Sequence, residues 1–327
     1  MKYRSLGRTG VMVSELIFGC GSVGGMMIRQ PPAVMKAAVA DALAAGMNWF
    51  DTAAQYGDGK SEENLGRVLR ELDAAPYVST KGAVDSTSTE PFRDQMARAC
   101  DDSLARLGRA SVDLYQLHGR IALDGAPRSV SPKEILGPDG VFEAMERLRD
   151  QGKCKWIGIT ALGDTEAILE VIASGRLDTC QVYVNMINPT AAHPRDRRPA
   201  PASGQDFAGV LDGAHAAGLG IIAIRTLAAG VLAGVESGSA RGILTKDTDM
   251  ENEIRKARAV HAAFGSTYGT RAQTALRYAL GLPGVACVDF AIGEPAHLPE
   301  GLLTVDMGPL PAAAFKDLDA LQARDFR

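Results

Sequence analysis

The chain has 327 residues, 46% of them hydrophobic and 23% charged, and its 35 Lys plus Arg against 39 Asp plus Glu leave a net charge of −4. That balance is near the globular average and far from disorder, and a mildly acidic chain with no Lys/Arg block lacks the cationic surface that nucleic-acid backbones require. No apolar run reaches the roughly 18 residues of a membrane span, and the N-terminus lacks the layout of a signal peptide. The five cysteines are scattered with no C-x-x-C pair, which argues against a disulfide framework or a zinc ribbon and for a reduced, cytoplasmic protein.

Tyr3–Leu6 and Val11–Ser14 flank Gly7-Arg8-Thr9-Gly10 and predict a hairpin that would plug the N-terminal end of a barrel. β-Leaning runs then recur at Leu16–Gly19, Asn48–Asp51, Tyr77–Lys81, Val112–His118, Lys155–Thr160, Cys180–Asn185, Gly220–Ile224 and Val285–Ile292. Helical stripes fill the intervals. Leu65, Val68, Leu69 and Leu72 form one, with Ser61 to cap it and Glu62 and Glu63 to suit its positive first turn. Val141, Ala144, Met145 and Leu148 form another, and similar stripes run up to Gly175, Gly218 and Gly281, which with Gly152 read as left-handed stops.

Eight strands alternating with helices predict an α/β fold, a (β/α)8 TIM barrel with an N-terminal hairpin and extra C-terminal helices, as one domain over 1–327. Gly19-Cys20-Gly21-Ser22-Val23-Gly24 spells G-x-G-x-x-G. Arg29-Gln30-Pro31-Pro32 separates it from the next helix, and Asp41 lies inside that helix, so the string reads as a βα loop at the barrel mouth. Intervals 119–139, 186–203 and 226–250 are too long for plain connections and are assigned to the catalytic face. The Pro194–Pro199 charge and proline cluster reads as a solvated loop. His193, His215 and His261 lack partners at ligand spacing, and Tyr77 and Tyr115 lie within strands as packing residues.

Asp51, Lys81 and His118 end three successive strands, and Tyr56 follows Asp51 by five residues. Charges at the ends of apolar barrel strands are costly unless paired, so Asp51 is expected to hold Lys81 and Lys81 to donate to Tyr56. The ammonium is expected to lower the pKa of Tyr56, and His118 to bond the same substrate oxygen or relay its proton. A Tyr acid with a Lys partner suits protonation of the alkoxide formed when hydride reaches a carbonyl. Hydrolysis would want a nucleophile or a metal-bound water.

Phe50-Asp51-Thr52-Ala53-Ala54-Gln55-Tyr56-Gly57, followed by Ser61-Glu62 and Leu65-Gly66, resembles the tyrosine-loop signature of the aldo-keto reductases. The spacing to Ser79-Thr80-Lys81 and Asp113-Leu114-Tyr115-Gln116-Leu117-His118 is also similar, and the likeness runs from Leu6 to about Leu303. The resemblance implies catalytic roles for Asp51, Tyr56, Lys81 and His118 and an extended nicotinamide cofactor bound without a Rossmann domain. For that cofactor it points to Gly19, Cys20 and Gly21 in the first loop, Thr160 and Gln181 near the carboxamide, and Arg225 at the pyrophosphate. Gly293, His297 and Glu300 follow the last strand.

Three positions depart from the family pattern. Thr160-Ala161 replaces a Ser-Asn pair, Ile224 replaces a stacking aromatic, and Gly293–Glu300 carries no Lys or Arg for a 2′-phosphate. NADP(H) is favoured over NAD(H) by a modest margin that grows as pH falls and His297 gains charge. The expected function is hydride transfer between NAD(P)(H) and a small carbonyl or alcohol substrate, with no metal, nucleic acid or membrane partner. The alternatives are a cofactor-binding regulatory barrel without turnover, as the resemblance to potassium-channel β-subunits would allow, and a metal-dependent barrel hydrolase.

Overall fold

The computed structural model describes residues 1–123, 129–196, 205–235 and 249–327. It opens with an antiparallel hairpin, β1 (Tyr3–Ser5) and β2 (Met12–Ser14). Then come β3 (Leu16–Gly19), α1 (Met26–Arg29), α2 (Pro32–Ala44), β4 (Trp49–Asp51), α3 (Lys60–Glu71), β5 (Tyr77–Gly82), α4 (Phe92–Leu107) and β6 (Val112–Leu117). A short parallel pair, β7 (Arg120–Ile121) and β8 (Ser129–Val130), and helices α5 (Pro132–Leu136) and α6 (Val141–Asp150) precede β9 (Cys154–Ala161). The chain continues through α7 (Thr165–Ala173), β10 (Thr179–Tyr183), α8 (Val210–Ala216), β11 (Gly220–Ile224), α9 (Met250–Phe264) and α10 (Arg271–Leu280). It ends with β12 (Val285–Ala291), α11 (His297–Met307) and α12 (Ala312–Ala323).

β3, β4, β5, β6, β9, β10, β11 and β12 close into a parallel barrel in that order. Helices cover its outer face, so both strand faces are buried, and this is why the strands read as continuous apolar runs. Each predicted strand lies within two residues of its observed bounds. The hairpin does plug the N-terminal end. Leu6, Val11 and Val13 pack there with Ile17, Trp49, Leu114, Ile222 and Cys287, a second core separate from the main one around the barrel. Gly7 is required at the closest approach, since a Cβ there would collide with the backbone of Leu219 and Gly220, and its φ is +51°.

Several local expectations change. Gly152, Gly175 and Gly218 are left-handed stops at φ +73°, +73° and +69°, but Gly281 stays right-handed at φ −85°. A short helix, α1, does follow the G-x-G-x-x-G string directly, capped by Gly25. It lasts only four residues, too short to offer the aligned N-terminus that a phosphate loop uses. Ser61 does not cap α3; Gly59 holds that place at φ +88°, and Ser61 is used elsewhere. Of the long intervals, 124–128, 197–204 and 236–248 lie outside the described residues, as does Arg197–Pro199 of the charge cluster. Its described member Arg195 forms an exposed ion pair with Glu166. Among the described residues no helix is long and apolar enough to cross a membrane.

Leu6 is fully buried at the barrel floor. Leu6→Ala should cost about 2–5 kcal/mol through the cavity it leaves. Urea unfolding should show a lower midpoint with an unchanged slope.

Candidate active site

The site forms where β4, β5 and β6 end. Asp51 and Lys81 lie on neighbouring strands, and both side chains are inaccessible to solvent. An ammonium has three protons to place. Lys81 Nζ donates to Asp51 Oδ2, to the Thr52 carbonyl at 2.9 Å and to Tyr56 Oη at 3.2 Å. The other Asp51 oxygen accepts from Ser79 Oγ at 2.6 Å, Gln181 Nε2 at 3.0 Å and Gln116 Nε2 at 3.4 Å. His118 meets the Tyr56 ring edge-on, with centroids 5.8 Å apart. The structure therefore brings all four predicted residues together.

The electrostatics correct one expectation. Burial raises the Tyr56 pKa above the ordinary phenol value, and it outweighs the lowering by Lys81. The phenol therefore keeps its proton at neutral pH. Burial works against the Lys81 charge, but Asp51, Tyr56 and Asp289 together hold the lysine above its usual pKa. Burial first, then Lys81 and Arg225, push His118 down to about 3, so its ring is neutral at pH 7. Its Nδ1 is buried without a partner.

The rest of the tyrosine-loop signature holds this centre in place. Ser61 Oγ pairs with Thr52 Oγ1 at 2.8 Å and reaches the Cys20 carbonyl at 3.0 Å, tying α3 to the loops after β3 and β4. Glu62 is fully buried rather than facing solvent in the helix's first turn. It accepts from Thr80 Oγ1, beside Lys81, and from Arg106 Nε of α4 at 2.6 Å. Gly66 lets α3 approach α4, where a Cβ would collide with the Leu107 carbonyl.

Tyr56 and His118 open onto an elongated cavity of about 1020 Å³. Of the residues singled out for a cofactor, Gly21, Thr160, Gln181, Arg225, Gly293, His297 and Glu300 line it, whereas Gly19 and Cys20 do not. Cys20 is buried beneath the loop, and burial raises its thiol pKa, the state of an inert filler. Thr160 Oγ1 bonds Gln181 Oε1 at 3.2 Å. Arg225 adopts φ +57°, a strained conformation for a bulky residue, and its Nη1 is buried with no partner. At the outer end His297 Nδ1 accepts from the backbone N–H groups of Gly293 and Glu294, and Thr270 Oγ1 donates to Glu300 at 2.6 Å.

Two of the charged lining residues, Arg271 and Asp289, lie outside every motif of the sequence. Arg271, the first residue of α10, lines the cavity and adds a cation from an element other than the segment after β12. Asp289 of β12 also lines it, near enough to Tyr56 and Lys81 to act on both electrostatically. A polar residue inside an otherwise apolar strand was the only signal for Asp289, and Arg271 reads as an ordinary helix-surface residue. His193 bonds Gln322 and His261 bonds the Leu232 carbonyl, so both are structural.

Fold and site together define a parallel barrel with a buried, hydrogen-bonded Tyr-Lys-Asp cluster where its strands end. The chain belongs to the aldo/keto reductase family, whose profile matches residues 15–323. It is 29% identical over 167 residues to aldo-keto reductase YhdN of Bacillus subtilis, covering 49% of this chain and 47% of that protein. To L-galactose dehydrogenase of Arabidopsis thaliana it is 31% identical over 167 residues, 50% of this chain and 49% of the relative. L-glyceraldehyde 3-phosphate reductase of Escherichia coli is 26% identical over 253 residues, 72% of this chain and 64% of that one. The chain thus spans about half the length of the first two curated relatives it matches. Aldo-keto reductase AKR11C1 from Bacillus halodurans, in its holo form, shares the fold with a TM-score of 0.74 at 20% identity, covering 98% of this chain and 96% of that one.

Lys81→Met should leave Asp51 as an uncompensated buried charge and cost roughly 3–5 kcal/mol. A lower melting temperature in differential scanning calorimetry should accompany any loss of activity.

Proposed function

We propose that this chain is an oxidoreductase that transfers hydride between a nicotinamide cofactor and a small carbonyl or alcohol substrate, with Tyr56 as general acid/base. The observation that carries this reading is the commitment of all three Lys81 protons, to Asp51, the Thr52 carbonyl and Tyr56 Oη. The phenol is thereby the group through which the buried charge pair reaches the cavity. When bound, NADP(H) or NAD(H) supplies or accepts the hydride. Tyr56 Oη gives its proton to the carbonyl oxygen as that oxygen gains negative charge, and Lys81 compensates the phenolate left behind. Neutral His118 donates a hydrogen bond to the same oxygen and orients it. In the oxidation direction the phenolate takes the alcohol proton back.

The residues present fit such a cofactor. The partnerless Nη1 of Arg225 is a buried cation edge in want of an anion, which a pyrophosphate supplies. Gly21 lies in contact range of the Tyr56 ring, so the loop after β3 borders the phenol in the cavity. We assign Thr160 and Gln181 to the carboxamide, and Gly293, His297, Glu300 and Arg271 to the adenosine end, with Gly19 and Cys20 supporting the loop from below. NADP(H) is favoured over NAD(H), because a 2′-phosphate gains from an arginine fork. Arg271 is the arginine of the cavity lining that we assign to that phosphate. The relatives named L-galactose dehydrogenase and L-glyceraldehyde 3-phosphate reductase support a small carbonyl or alcohol substrate. Five buried, unpaired cysteines support a reducing, cytoplasmic setting.

Mixing the protein with NADPH or NADH and a panel of aldehydes, ketones and sugars tests the reading. Turnover should appear as loss of reduced-nicotinamide absorbance, and no oxidation of either cofactor would overturn it. Tyr56→Phe should lower turnover by about 10²–10⁴ with cofactor affinity nearly intact. Arg271→Ala should weaken NADPH by about tenfold or more and NADH far less, as read by fluorescence titration.

A further inference from the structure

Asp289 is a carboxyl group in the cavity that the proton-transfer centre does not use. It projects from β12 toward β3, where only glycine fits, since a Cβ at Gly19 would collide with its Oδ1. That oxygen is buried with no hydrogen-bond partner, and the residue lines the same cavity as Tyr56, His118 and Gln181. The charged and titratable groups facing it are Asp51 of β4, Lys81 of β5, Tyr56 in the loop after β4, Cys20 after β3, Cys287 on its own strand and Arg225 after β11. Lys81 has no proton left to give it. Burial, and then repulsion from Asp51, push its pKa up to about 8 against the pull of Lys81 and Arg225. With no donor for Oδ1, the site favours the neutral acid of Asp289 over an unpaired negative charge.

We propose that Asp289 makes the cavity sense the charge of the nicotinamide: it keeps its proton beside the neutral reduced ring and releases it to solvent when the cationic oxidised ring binds. The proposal rests on the cofactor reading above. A hydride donor has to sit within about 3–3.5 Å of the carbonyl carbon that Tyr56 and His118 flank. That places the nicotinamide ring beside Tyr56 and His118, in the cavity that Asp289 also lines and where it acts electrostatically on Tyr56. A positive charge there favours the carboxylate over the acid, because an opposite charge nearby stabilises the ionised form. By linkage, a ligand that expels a proton binds tighter as pH rises, up to the pKa of the group it ionises. Oxidised cofactor then gains affinity with pH and reduced cofactor does not, so alkaline conditions favour alcohol oxidation through binding as well as through the proton the reaction yields.

Isothermal titration of NADP+ and of NADPH, each at pH 7 and at pH 9.5 in two amine or sulfonate buffers that hold that pH and differ in ionisation enthalpy, counts the protons released by each form. The 2′-phosphate is common to both, so the difference between them reports the ring charge. For the wild type, NADP+ should release about one proton more than NADPH at pH 7 and no more at pH 9.5. Its affinity should rise by up to about tenfold per pH unit between pH 6 and 8. Asp289→Asn, nearly the same shape, should abolish the difference. Equal proton release by the two forms in the wild type overturns the proposal without any variant, and so does a difference that persists in Asp289→Asn. Binding of neither form would overturn the cofactor reading and this proposal together, whereas binding of both with equal release would sink this proposal alone.

Discussion

Burying Lys81 beside Asp51 is the constraint on which the rest of this protein depends. Removing an ammonium and a carboxylate from water costs several kcal/mol per ion, and the pair persists only where every proton and lone pair is met. The lysine is satisfied by β4, the loop behind it and Tyr56, and the carboxylate by Ser79 of β5, Gln116 of β6 and Gln181 of β10. These partners come from strands across the barrel. An open sheet would leave some of them unmet, so closure of the barrel and assembly of the site are one event.

The surrounding core follows the same logic of filling and fixing. Below the charge pair, the hairpin and the inward side chains of the barrel form a dry floor that excludes water from the N-terminal end. Beside it, Glu62 and Ser61 tie the first turn of α3 to β5, α4 and the loop after β3, so the loop carrying Tyr56 is anchored at both sides. These ties hold the phenol in one position, because its supporting groups are themselves locked by packing and hydrogen bonds.

Above the pair, the cavity wall is more adaptable and more strained. Arg225, Ala228 and Ala229 all adopt positive φ at the end of β11, at a cost of order 1–3 kcal/mol each. The Arg225 carbonyl is held by Asn185 Nδ2 at 3.1 Å, while its guanidinium keeps a nitrogen without a partner. Backbone strain and a guanidinium nitrogen without a partner thus fall on one segment of the cavity wall.

The strands, their order and the tetrad were legible in the chain because each is a local signal. A parallel strand buried on both faces is an apolar run, and a charge that ends such a run stands out against it, as Asp51, Lys81 and His118 do. The hairpin floor was legible for the same reason. Other features depend on what lies across space. The true cap of α3 and the buried role of Glu62 depend on α4 and on the loop after β3. The direction of the Tyr56 shift is a contest between burial and Lys81 that only packing decides. Asp289 and Arg271 belong to no motif and reach the cavity because β12 closes against β3 and α10 starts beside α11. Sequence spacing sets which residues a strand or helix presents; tertiary structure decides which of them share a dielectric environment, and so which of them can exchange charge.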